Sequence, residues 1–82
     1  MGGLGLENWQ DVDIVQFRLG LAIGVFPPSA AFPTEIKPIL WTNHPIGNML
    51  YGMLETIVVG GVLQRRDEPD FQYRWNPEFK LP

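Results

Sequence analysis

Cysteine is absent from the 82 residues, so disulfides, thiolate metal sites and a thiol nucleophile are excluded. Serine and histidine occur once each, as Ser29 and His44, which leaves few parts for a nucleophile–base–orienter constellation. Basic residues are also few, six Lys and Arg against nine Asp and Glu, for a formal net charge of −3. They are spread along the chain, so no basic face for nucleic acid is visible. Charged residues make up 18% of the chain, below the roughly 25% usual for soluble domains.

What is present is apolar and punctuated. Apolar residues make 45% of the chain, with nine glycines and eight prolines, and the mean hydropathy is −0.02. At 9.3 kDa the chain is one domain. A chain this short without disulfides buries little core by itself. It is therefore expected to lean on a partner, a membrane or a bound cofactor.

Five pieces follow one another. Residues 1–13 are a Gly-rich acidic lead, 14–32 are nearly all apolar, 33–45 form a Pro-rich loop, 46–63 are a second apolar stretch, and 64–82 are a polar tail. The second stretch predicts a helix over about 45–66, with Asn43 as N-cap and Pro45 in the first turn. About 22 residues at 1.5 Å each make roughly 33 Å, the thickness of a hydrocarbon core. Arg65 and Arg66 close it at the interface. In the first stretch, Pro27-Pro28 predicts a shorter helix over about 11–26, capped by Asp11 or Asp13. The expected fold class is all-α: a small membrane protein with two apolar helices, the second a full transmembrane span, joined by a loop over 27–44 and followed by an extended tail over 67–82. The positive-inside rule places both termini on the cytoplasmic or stromal side. Two other folds compete: a soluble helical domain, and a small β-rich fold drawn from the strand character of Thr56-Ile57-Val58-Val59.

Glu55 stands midway along the second apolar stretch, where a carboxylate must be neutral, paired or bound. One reading makes it a ligand of a metal centre, including the magnesium of a chlorophyll; the other pairs it with an Arg or a neighbouring backbone. His44, at the start of the same helix, is a second ligand candidate beside the plainer reading of a solvated or hydrogen-bonded imidazole. Gly20 and Gly24, and Gly52, Thr56 and Gly60, recur every four residues. Such spacing lets helices or flat macrocycles approach closely. The tail has four basic and four acidic residues, and reads as a strap on another chain anchored by Phe71, Tyr73, Trp75 and Phe79. Its removal is expected to weaken retention in a complex and to leave the helices standing.

The run Gly20-Leu21-Ala22-Ile23-Gly24-Val25-Phe26-Pro27-Pro28-Ser29, ending at Pro33, resembles the first membrane helix and Pro-Ser exit of the O subunit family of photosystem I. Gly61-Val62-Leu63-Gln64-Arg65-Arg66-Asp67-Glu68 and the aromatic-acidic end resemble that family's close. The likeness covers about half the chain, and departs from the family in a shorter central loop and a longer tail after Asp70. It implies a non-catalytic, two-span accessory subunit at the rim of photosystem I in the thylakoid, binding chlorophyll, with carotenoid beside it, and bridging core and antenna subunits. The competing functions are a pigment-free accessory subunit of a respiratory membrane complex and a soluble helical interaction module.

Overall fold

A computed structural model describes residues 6–41 and 43–79 of the chain. The element order is β1 (Gln10–Asp11), α1 (Val12–Ala22), α2 (Lys37–Trp41), α3 (Pro45–Val59), β2 (Leu63–Arg66) and β3 (Gln72–Trp75). The strands form one antiparallel sheet in the order β1-β3-β2. The helices pack on one another and on the sheet. Between them lies a core in which Leu6, Val15, Leu50, Leu54 and Tyr73 are almost wholly excluded from solvent.

The expected all-α membrane architecture is overturned. Among the described residues no helix is long and apolar enough to cross a membrane. The helix expected over 45–66 stops at Val59 after 15 residues, about 22 Å of rise. The cause is Gly60-Gly61. Gly61 takes φ +84°, its N–H donates to the Val58 carbonyl, and the Val62 N–H donates to that of Ile57. This is a Schellman ending, for which a left-handed residue just past the cap is required and glycine is the cheapest choice. The apolar residues beyond the turn therefore belong to a strand. Leu63 enters the same core from the sheet side.

The first apolar stretch divides in the same way. The helix expected over 11–26 is 11 residues long and ends at Ala22. Gly24, at φ +79°, reverses the chain, with Gly24 N–H bonded to Leu21 and Val25 N–H to Gly20. The turn folds Phe26 back onto the helix. A Cβ on Gly20 would lie 2.4 Å from the Phe26 ring, so only glycine leaves room for that aromatic. The loop expected over 27–44 contains α2. Its close approach to α3 depends on Gly47, whose added Cβ would sit 2.9 Å from the Ile39 carbonyl oxygen. The buried Gln16 amide joins α1 to the same spot, donating to the Gly47 carbonyl at 3.0 Å.

The tail expected to lack regular structure supplies the central strand. Gln72–Trp75 pairs with β2 through Leu63↔Trp75, Gln64↔Arg74, Arg65↔Tyr73 and Arg66↔Gln72, and with β1 through Gln10↔Tyr73 and Asp11↔Gln72. The lead also runs along it, since Trp75 N–H donates to Leu6 and Val12 N–H to Phe71. Residues 80–82 of the tail and 1–5 of the lead lie outside the described residues.

Candidate functional site

Paired residues in a sheet share a face and successive residues alternate between faces. The register therefore sorts the strand side chains into two sets. Gln10, Leu63, Arg65, Tyr73 and Trp75 share the face that carries the buried Leu63 and Tyr73. Asp11, Gln64, Arg66, Gln72 and Arg74 share the other.

On the helix side, Glu55 is held by both oxygens. Oε2 accepts from Arg65 Nη1 at 2.7 Å and Oε1 from the Tyr73 hydroxyl at 2.7 Å. Arg65 also approaches Asp67 at 3.7 Å and lies over the Phe71 ring at 5.4 Å. Phe71 in turn stacks on Tyr73 and meets Tyr51 edge-on. Burial, reinforced by the Glu55 hydrogen bond, pushes the Tyr73 hydroxyl well above the ordinary tyrosine range. The hydrogen bond to Glu55 and the carboxylate's charge raise the Arg65 guanidinium further. An axial-ligand role for Glu55 would require it to release Arg65 or Tyr73. His44 is the N-cap of α3, and its Nδ1 accepts from the Ile46 N–H at 3.2 Å. Asn43, the expected cap, sits at φ 55° beside it and accepts from the Asn48 side chain.

With Glu55 turned toward the sheet, the outward side of α3 carries no charge. Pro45, Asn48, Met49, Gly52, Thr56, Val59 and Gly60 are its exposed positions besides Tyr51. Val59 is 87% exposed and Met49 43%. Gly52 has nothing within 4 Å of an added Cβ, and the Thr56 hydroxyl bonds back to the Gly52 carbonyl. Gly20 and Gly24 do not join this side, since they shape the end of α1. Of the tail aromatics, Tyr73 is fully buried in the chain's own core, Phe71 and Trp75 are half-buried, and Phe79 is exposed. Trp75 keeps its indole Nε1 buried without a hydrogen-bond partner among the described residues.

The opposite face of the sheet brings Arg66 and Asp11 together with residues that the sequence reading had not singled out. Trp9 lies against both Arg66 and Arg74, whose Cζ atoms are 4.6 and 4.7 Å from its ring. Arg66 donates through Nε and Nη2 to Gln72 Oε1, and Arg74 Nε donates to Gln64 Oε1 at 2.8 Å. Gln72 is oriented by its own bond to Asp11 Oδ1. The signal for this face was the alternation Gln64/Arg66 and Gln72/Arg74 on either side of Pro69, a hairpin pattern.

An open cleft of about 290 Å³ lies at the edge of the sheet, lined by Asp11, Val12, Asp13, Lys37, Asp70 and Phe71. Lys37 approaches the buried Asp13 carboxylate at 3.5 Å. No cluster of three or more metal-ligating side chains occurs among the described residues. No protein-family model matches the chain, and searches of curated proteins and of solved structures find no match.

Proposed function

We propose that the chain is a non-catalytic accessory domain that docks onto a larger protein assembly through the outward side of α3, against an uncharged and largely apolar partner surface. The observation that carries this reading is the distribution of charge on that helix. Its single ionised residue, Glu55, is engaged by Arg65 and Tyr73, and its solvent side presents Met49, Gly52, Thr56 and Val59. Solvated helix faces ordinarily carry charged and polar residues. A continuous uncharged side on a chain of net charge −3 marks a surface meant to be covered. Gly52 lets a partner backbone come close, and Met49 supplies an adaptable contact. The lone imidazole caps α3, which favours a binding role over an acid–base one.

The test is native electrophoresis of the tagged chain expressed in its own source. The wild type is expected to migrate with a larger assembly. A Thr56→Lys/Val59→Lys variant is expected to migrate alone with an unchanged far-UV spectrum, because both positions are exposed and a cation in the last turn suits the helix dipole. Retention of the variant at wild-type yield would refute the proposal. The photosynthetic complex implied by the resemblance and a respiratory complex are the two proposed hosts, and pigment absorption of the recovered assembly separates them.

A further inference from the structure

We infer that the outer face of the sheet is a binding site for an extended peptide of a partner protein carrying acidic residues at alternate positions. The face is distinct from the outward side of α3, and neither proposal depends on the other.

The argument begins with how the arginines are partnered. Arg65, on the inner face, is matched by Glu55 and Asp67. Arg66 and Arg74, on the outer face, form no ion pair among the described residues; their partners are the neutral amides of Gln72 and Gln64. Of the five N–H donors on each guanidinium, these amides take two on Arg66 and one on Arg74. Two half-buried cations therefore keep both charge and unused donors on an otherwise acidic chain.

They are also held in place. Each guanidinium lies on the Trp9 ring, and the Asp11 bond fixes the Gln72 amide with its oxygen toward Arg66. The ordering of two long side chains is completed on folding, which lowers the entropic cost of capturing an anion. Arginine forks match carboxylates in a bidentate geometry.

The spacing selects the ligand. Arg66 pairs with Gln72, so Arg74 is its diagonal neighbour two residues along β3. Such diagonals lie about 7–8 Å apart. Alternate side chains of an extended peptide repeat about every 6.4–6.8 Å, so two carboxylates at positions i and i+2 can reach the two forks together. The same layout disfavours single-stranded nucleic acid, because the aromatic ring a base would stack on, Trp9, is already engaged by both guanidiniums.

The test is a heteronuclear NMR titration of the whole chain with a capped pentapeptide alternating glutamate and threonine. Three comparison ligands are used: a pentapeptide with its glutamates adjacent, inorganic phosphate, and an oligothymidylate. The alternating peptide is expected to shift the Trp9 indole and the Arg66 and Arg74 Nε resonances, to weaken with added salt, and to bind more tightly than the three comparison ligands. Arg66→Gln and Arg74→Gln are each expected to raise its Kd about tenfold or more, with Arg66→Lys in between. The wild-type shift map needs no variant, so it decides the location even where a substitution unfolds the chain. Shifts centred elsewhere, no binding at low salt, equal affinity for phosphate or the adjacent-glutamate peptide, tighter binding of oligothymidylate, or unchanged affinity in both folded Gln variants would each overturn the inference.

Discussion

Tyr73 shows at the scale of one residue how an apparent functional carboxylate becomes a structural one. Its ring is fully buried, and its hydroxyl donates to Glu55 at 2.7 Å. Removing the acceptor leaves a buried hydroxyl unsatisfied, which costs about 1–3 kcal/mol. Glu55→Leu is therefore expected to lower stability by that amount in urea unfolding. Tyr73→Phe in the Glu55→Leu background is expected to cost little more, so the two changes should not add. Additive losses would show that the hydrogen bond contributes nothing. The same residue sets an alkaline limit. Its folded-state pKa is raised by burial and by the Glu55 bond. Its contribution is thus fully present below the unfolded tyrosine value of about 10. Above that value the unfolded chain releases the proton while the folded chain retains it, and stability falls with a slope of about 1.4 kcal/mol per pH unit. Thermal midpoints measured on both sides of that pH should show the fall in the wild type, and Tyr73→Phe should flatten it.

Glycine positions separate by what surrounds them at the scale of the elements. Gly47 and Gly52 are both inside α3, yet an added Cβ meets α2 backbone at 2.9 Å in the first case and open space in the second. Gly47→Ala is expected to cost about 1–3 kcal/mol through overpacking, whereas Gly52→Ala should stabilise by up to about 1 kcal/mol through helix propensity. Calorimetry of the two variants should give shifts of opposite sign, and shifts of the same sign would contradict the packing of α2 on α3. This contrast also explains what could be read from the residues alone. The start of α3 was legible in Pro45, although its cap is His44 and not the expected Asn43, whereas Pro27-Pro28 set the limit of α1 too late, because Gly24 already ends it after Ala22. The Gly60-Gly61 stop was not legible, because Gly60 fits the small-residue spacing of a membrane helix and the tertiary meaning of the pair depends on β3. The hairpin was hidden for a similar reason. The register that buries Leu63 also turns Arg65 toward Glu55, which receives it, and no local propensity records a partner ten positions away.

At the scale of the whole molecule the decisive feature is that the two ends of the chain meet in one sheet. β1 and the residues before it pair with β3, which lies between β1 and β2. This placement reverses the expectation that the tail can be cut away without harm to the helices. Truncation after Asp67 removes the middle strand, leaves β1 and β2 without their only strand partner in the described sheet, and takes Tyr73 out of the core beneath α3 and α1. Losing one buried aromatic side chain costs roughly 3–5 kcal/mol. A small domain holds only about 0.05–0.15 kcal/mol per residue in total. The ladder hydrogen bonds and the Glu55 contact are lost as well, so the deficit reaches the stability of the whole chain. The truncated chain is therefore expected to lose its helical far-UV signal and its sigmoidal thermal transition together, as one cooperative unit. The full chain should show a single transition at which the helix signal and the near-UV signal of the tryptophans change together. A truncated chain that keeps cooperative helix melting would mean that the helices stand without the sheet, and that lead, tail and α3 are not interdependent.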